Sequence, residues 1–418
     1  MNKSKLIKKV GLVAATAMLP LSQAALADGN WGISGWINEG VTYWDDGVGS
    51  DVTQISDNGT TLGSRITLSG STDLPNSGLS AGFEVILEPS STGGLLGWGT
   101  GQTNSFVATG ATGFGTAPSA TSGDINGHDI GVLGNSLHVA GSFGKVTVGL
   151  QSMPTDNIAV LEDPSLTLWA SISPVFRGVG ATIQGVTGSR TTWGSFLTCN
   201  FSGLGIGIDC NGIYRSGVRY DLPAFGPVTV AVGWANDDIY DVAAKYKGSW
   251  GGVNTQLALG YAINQGGAAG GVQIGTEAEV FQVQAGAMDP GTGIFGSIAY
   301  NAEEGNGAAA GSSDDGDAWW LKVGIKKGFN SLGDTSFAFN YGQYSDQYSG
   351  GDTGAGITIS GSEVERMGFE VNQYFGSRLI VYGIWEQLDL DVEGTGTAAA
   401  YGGAQELDMF TTGLTFFF

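Results

Sequence analysis

Apolar side chains recur at every second position along most of this chain, in segments of about ten residues. In RITLSGS, Ile66 and Leu68 fall on one face and Arg65, Thr67 and Ser69 on the other. KVTVGLQ sets Val146, Val148 and Leu150 opposite Thr147, Gly149 and Gln151. YDVAAKYKG sets Val242, Ala244 and Tyr246 opposite Asp241, Lys245 and Lys247, and WLKVGIKKG sets Leu321, Val323 and Ile325 opposite Lys322, Gly324 and Lys326. Such alternation means strands with one apolar and one polar face. A soluble sandwich alternates too, but there the buried face is filled with large side chains. Here the polar face is rich in Gly, Ser, Thr and scattered charge, and aromatic residues cluster at segment ends: Tyr43-Trp44, Trp234, Tyr261, Tyr300, Trp319-Trp320, Tyr374-Phe375. An apolar outer band with aromatic girdles around a polar lumen is the pattern of a transmembrane β-barrel. Closure leaves no backbone group unpaired in lipid.

The segments begin near Trp31, Thr60, Leu79, Asn135, Lys145, Ile213, Pro227, Ile239, Val253, Glu277, Thr292, Asp317, Asp334, Ser362, Arg378 and Gln405. Sixteen is an even number, as a bacterial barrel requires. Short links (PNSG, FGK, PAFGP, GG, DPG, NSLG, GS) alternate with long ones at Asp45–Gly59, Pro89–Gly134, Met153–Gly212, Asn264–Thr276, Glu304–Gly316, Gln347–Gly361 and Asp391–Ala404. The brief Asn236–Asp238 link is the exception on the long side. The expectation is an all-β, 16-stranded antiparallel transmembrane barrel with short turns at one end and long outer loops at the other. A ring of that size encloses an aqueous channel, whereas eight strands would be filled by side chains. The closing phrase MFTTGLTFFF fits: Phe410, Leu414, Phe416 and Phe418 share one phase and point toward lipid.

Residues 1–27 read as a cleaved secretory signal, with Lys3, Lys5, Lys8 and Lys9 before an apolar run and Ala25-Leu26-Ala27 at its end. Pro20 and Ser22-Gln23 interrupt a run already shorter than the ~20 residues of a helical span. Residues 28–418 then form the barrel. Four of the 17 basic residues lie in the signal, which holds no acid, leaving 13 bases against 39 acids and a formal charge near −26. That sign repels phosphate backbones, so nucleic acid is not an expected partner. It concentrates cations instead, the more so because Asp45, Asp46, Asp51, Asp57, Glu303, Glu304, Asp314, Asp315, Asp346 and Asp352 fall in or beside predicted outer loops.

Three blocks resemble the general porins of Gram-negative outer membranes, in their alphaproteobacterial form. GSRITLSGSTDLPNSGLSAGFEV is similar to the second hairpin, VAGSFGKVTVGLQSMPTD to strands four and five leading into loop three, and GVRYDLPAFGPVTVAVGWANDDIYDVAAKYKGSWGG to strands six to eight. The resemblance implies a homotrimer of passive, water-filled channels, with loop three folded inward to form a constriction. It implies contact with outer-membrane lipid and lipopolysaccharide, and recognition of the terminal Phe418 by the assembly machinery. Carried onto this sequence, it puts Asp156, Glu162 and Asp163 on the acidic side of the constriction and Arg65, Arg215 and Arg219 on the opposing wall. Lys245, Lys322 and Lys326 are phased toward the lumen. A transverse field between such groups favours polar solutes; the same arginines could instead pair locally with acids. Family members often carry Arg where this chain has Leu150, which thins the basic side. The segment Met153–Gly212 is long enough to be one large plug or to rise partly outside.

Other constellations carry less. Cys199 and Cys210 stand alone in an exported chain, so a disulfide is expected, adding about 2–3 kcal/mol by restricting the unfolded chain. Two thiols without a CxxC motif do not make a metal site. GLGIGI lacks the Lys-Ser and helix of a phosphate loop. His128 and His138 are too few for zinc or a triad. DLDVEG has Ala400 where a calcium loop needs Glu, and the acid-rich SSDDGD at Ser312–Asp317 reads either as a divalent-cation site beside outer-leaflet sugars or, more commonly for such a run, as a solvated loop tip. No catalytic activity, cofactor or metal is expected. The sequence reads as a channel for small hydrophilic solutes and ions, weakly preferring cations; a substrate-selective porin or a non-conducting adhesive barrel are the alternatives.

Overall fold

Each strand of the main sheet runs antiparallel to its neighbours, and the last returns to the first. The computed structural model describes residues 30–418 except 57–63, 91–128, 169–170, 173–176, 180, 189, 191, 200–206, 212–213, 236–237, 266–267, 270–271, 274–276, 307–312 and 349–355. The predicted signal, Asp57, His128 and Asp352 lie outside the described residues. The first half of the barrel contains β1 (Asn30–Asp45), β2 (Ser50–Ser56), β3 (Arg65–Asp73), β4 (Ser80–Ser90), β5 (Asp129–Gly141), β6 (Gly144–Ser152), β7 (Tyr214–Asp221), β8 (Val228–Ala235), β9 (Ile239–Trp250) and β10 (Val253–Gln265). A small hairpin, β11 (Ala268–Ala269) and β12 (Val272–Gln273), stands apart. The second half contains β13 (Glu277–Met288), β14 (Ile294–Asn306), β15 (Asp315–Asn330), β16 (Gly333–Ser345), β17 (Thr358–Phe375), β18 (Leu379–Thr395) and β19 (Leu407–Phe417). Leaving out β2, β11 and β12, sixteen strands close the ring.

The extra strand β2 departs from the sequence reading. It pairs with the loop-end half of β1, Glu39–Asp45, while β3 pairs with the turn-end half, Asn30–Trp36. The link from β1 to β2 is therefore a tight turn. The Asp46 carboxylate accepts from the Val48 and Gly49 amides at 3.1 and 2.8 Å, the local bond that makes Asp a turn former.

Closure runs along the β1–β19 ladder, from Trp36 opposite Phe417 to Asp45 opposite Asp408, and is finished by the last residue. Phe418 donates its amide to Gly35 O at 3.1 Å and accepts from Gly35 N at 3.2 Å. Gly35 has no room for a side chain: a Cβ there would lie 2.0 Å from the Arg65 carbonyl oxygen and 3.1 Å from the Phe418 ring. Along β19 the alternation is kept, with Phe410, Thr412, Leu414 and Phe416 exposed and Met409, Thr411, Thr415 and Phe417 buried.

The inner face corrects the expectation of a polar lumen. Each aromatic doublet splits, with Tyr43, Trp319 and Phe375 outside and Trp44, Trp320 and Tyr374 inside. Trp44, Trp320, Tyr344, Val364, Leu388, Leu390 and Met409 of the wall share one core with Val179, Ile183, Trp193, Phe196, Leu197 and Ile208 of the segment that joins β6 to β7. Each large side chain so buried is worth about 1.5–3 kcal/mol. The segment is thus packed as a plug.

Candidate pore constriction

Loop three leaves β6 after Ser152 and is tied to the wall from its first turn. Asp156 N donates to Met153 O at 3.1 Å, and Thr155 donates from both its amide and its hydroxyl to Asp241 on β9, at 2.8 and 2.9 Å. Glu162 N then donates to Gln284 on β13 at 2.8 Å. Next, Lys326 donates to Ser165 O, Lys322 to Ser171 O and Arg366 to Ile172 O, at 2.8, 2.9 and 2.8 Å. The distal part climbs to the mouth. There Gln184 donates to Asp46 at 2.8 Å, Gln405 N to Gln184 O at 3.0 Å and Thr187 N to Ala400 O at 2.8 Å, beside the single helical turn α1 (Thr397–Ala400). The chain comes back through a 3-10 turn at Trp193–Phe196 and the Cys199–Cys210 disulfide, 2.07 Å between sulfurs. Asn211 closes the loop on its own start, donating to the Thr155 hydroxyl at 2.6 Å. Loop three is therefore both a lumen plug and a structure that reaches the outer loops.

The expected constriction residues fall into two groups. Asp156 lies within electrostatic reach of Arg65, Arg219 and Lys245. Each of these bases already has an acid: Arg65 meets Glu88 at 2.8 Å, Arg219 meets Asp221 at 2.8 Å, and Lys245 meets Glu162 at 3.2 Å. Arg65 also lies over the Trp36 ring, and Arg219 donates to Ser152 O at 3.1 Å. Arg215 turns to Asn211, 3.2 Å away. The wall arginines thus pair locally rather than facing free loop-three carboxylates. Asp163 belongs to the second group: it sits against Lys322 at 2.8 Å, and Lys326 lies over the Tyr374 ring nearby.

Exposure locates the water path. The side chains of Arg65, Arg219, Asp221 and Lys245 remain 16%, 24%, 24% and 32% exposed, while Lys322 and Glu370 are wholly buried. Loop three packs against β8–β10 at its start and against β13–β19 further on, and the partly exposed charged side chains of the inner face lie on β3, β7 and β9. Lys322, expected to meet lumen water, is on the inner face but sealed beneath loop three.

Several moorings were not singled out from the sequence. Arg366 on β17 and Arg177 of loop three share Glu386 on β18, and Glu370 lies 3.8 Å from Lys322. The signal was present: Arg366, Glu370 and Glu386 all occupy the inward phase of their strands. Asp209 was also missed, and Asp241, read onto the polar face of its strand, was given no part in holding loop three. Glu303, counted among the outer acids, faces inward and is buried.

Protonation follows these surroundings. Burial would raise the Asp163 carboxyl, but Lys322 and the bonds from Ser165 hold it below its ordinary range. Burial raises Asp156. Burial together with the Asp156 charge pushes Asp209 up to about 8.

Leu150 is not a missing lumen base. It shares the outward phase of Val146 and the exposed Val148, and the inward position at that level is Gln151, which donates to Thr147 O and Gly217 O at 3.1 and 3.2 Å.

A family model described as Gram-negative porin matches residues 12–391. Among solved structures, the chain is similar to an anion-selective porin from Comamonas acidovorans, with 16% identity, a TM-score of 0.55, and 93% of this chain and 100% of that chain covered. It is similar to outer-membrane expressed OmpT of Vibrio cholerae, with 13% identity, a TM-score of 0.53 and coverage of 95% and 100%. The trimer form of in-vitro folded OmpT gives 12% identity, a TM-score of 0.50 and coverage of 93% and 99%. At such identities the likeness is one of fold. No curated protein sequence matches.

Proposed function

Because the chain belongs to the Gram-negative porin family, we propose that the channel it forms for small solutes across the bacterial outer membrane is passive, weakly cation-preferring and homotrimeric. The observation that carries the ion preference is the pairing of the bases beside the water path. Arg65, Arg219 and Lys245 are each neutralised by an acid within 3.2 Å, so the excess of acids at the mouth is left to set the sign. A negative vestibule enriches cations over a Debye length of about 30 Å at 0.01 M salt and about 3 Å at 1 M. The zero-current potential under a KCl gradient at low salt tests this directly; an anion-selective sign overturns it. The anion preference of the Comamonas porin does not transfer at 16% identity.

Assembly as a homotrimer draws on the uneven wall. β7 and β8 have 8 residues and β3 and β6 have 9, against 16, 18 and 17 for β15, β17 and β18. A strand needs about 9–11 residues to cross the hydrocarbon. On the short side Asn135 and Ser216 present exposed polar groups from the outward face, at the same level as Leu150. A polar group there is better covered by protein than by lipid. The OmpT trimer form offers a precedent for such assembly in the same fold. The long side carries interfacial pairs, Tyr341 to Glu365 at 2.5 Å and Trp385 to Asp408 at 3.0 Å, suited to headgroups.

A further inference from the structure

The two ends of loop three meet around three carboxylates that have no base of their own. Asp156 and Asp209 come from the loop and Asp241 from β9, and all three are more than nine-tenths buried. Among the ion pairs of the described residues, none includes any of the three. Asp156 Oδ2 and Asp241 Oδ1 lack a hydrogen-bond donor altogether. Asp209 receives a long bond from Gln282 on β13, 3.4 Å, and one from the Asn157 amide of loop three. The groups around them are accounted for: Arg65 on β3 holds Glu88, Arg219 on β7 holds Asp221, Lys245 on β9 holds Glu162, and Arg215 on β7 turns to Asn211. Tyr214 on β7 is neutral, and Glu303 on β14, beside Cys199 and Cys210, adds a further acid rather than a counter-charge.

Buried carboxylates in such company need a proton or a metal ion. The geometry does not favour a metal. Among the described residues, the only three ligating groups close enough to share an ion are Cys199, Cys210 and Glu303, and two of those are joined to each other. Protons remain.

We propose that the ends of loop three form a proton-operated latch: with Asp209 protonated the loop stays docked, and as Asp209 ionises the latch loosens and the channel becomes wider and noisier. This rests on the channel reading above and concerns its regulation. The position of Asp209 makes the device effective. It precedes Cys210 at the end of the stapled return, and the neighbouring Asn211 bonds to Thr155, which bonds to Asp241. A new charge on Asp209 repels Asp156 across the seam that holds start and finish together.

The direction follows from the raised carboxyl. The docked loop holds a proton that the undocked loop releases near the ordinary carboxylate value of about 4. Docking therefore weakens as pH rises from about 4 to about 8 and is constant above that.

The test is single-channel recording in planar bilayers at constant KCl, from about pH 5 to about pH 9, on the wild-type protein and on Asp209→Asn. Wild type should show conductance and open-channel noise rising with pH to a plateau reached by about 8. Asp209→Asn, which cannot ionise, should keep the low-pH value throughout. A flat wild-type response, or a step that survives in Asp209→Asn, overturns the latch and assigns any titration to other lumen groups such as His138. Calcium alone restoring the low-pH state at high pH also overturns it, in favour of a metal tether. Absence of conductance at every pH counts against the channel reading instead. Amide exchange of residues 153–160 and 207–211 then decides the latch: the wild type must lose protection at high pH and Asp209→Asn must keep it.

Discussion

Lys322 and Asp163 meet at 2.8 Å between β15 and loop three, with 0% and 1% of their side chains exposed. A buried pair of this kind adds little over an apolar pair of the same shape, yet removing one partner strands a charge and costs about 3–5 kcal/mol. Its effect here is to hold the middle of loop three against β15. Lys322→Met should therefore undock the middle of loop three, raising channel noise and lowering the temperature at which the folded barrel unfolds in detergent. Lys322→Met with Asp163→Asn should recover much of the loss. Equal damage in the single and double variants would show that the pair is not coupled.

The same pair sets an acid limit. Asp163 is held below its ordinary range, so its contribution to docking is present above about pH 4 and is lost as pH falls through its lower docked value. Together with the opposite dependence of Asp209, this makes loop three most tightly docked in mildly acidic solution. Protection of loop-three amides should fall on both sides of that range, and Lys322→Met should abolish the acid fall only.

Glu88 decides whether Arg65 acts as a free cation in the water path. Glu88→Gln leaves the shape and removes the charge partner 2.8 Å away. Reversal potentials should move toward anions, most at low salt because the exposed charge is screened at high salt. An unchanged potential would mean that Arg65 lies off the conduction route.

Cys199 and Cys210 close an 11-residue separation within the part of loop three packed on Gln347 and Asn301. Replacing both by Ser should lower stability by about 2–3 kcal/mol through the freed unfolded chain. Intact mass without reductant should be two hydrogens below the dithiol value. Two thiols open to alkylation in the native protein would disprove the bridge in solution.

Phe418 makes the two backbone bonds to Gly35 that finish the seam between β19 and β1. Deleting it should lower outer-membrane levels in cells while leaving the conductance of assembled channels unchanged. Normal levels would dismiss the proposed role in assembly.

Strand alternation, the even count, the lipid-facing phase of Phe410, Leu414 and Phe416, and the choice of all-β class were legible in the sequence, because side-chain direction in a strand depends on local period alone. Even the inward phase of Arg366, Glu370 and Glu386 could be read this way. What the inward face meets could not. Whether Trp44, Trp320 and Leu388 line water or a core depends on where the long segment after Ser152 lies, and that is settled by packing between parts of the chain far apart in sequence. The partners of Glu162 and Asp163 were set in the same manner: the local pattern shows that a lysine faces inward, but only closure of the ring and docking of loop three bring Lys245 and Lys322, rather than Arg65 and Arg219, within bonding distance. Leu150 shows the opposite case, where strand phase alone already placed it outside the lumen. Period is a property of neighbours along the chain; the shape of the bore, and which charges are left to water, are properties of closure.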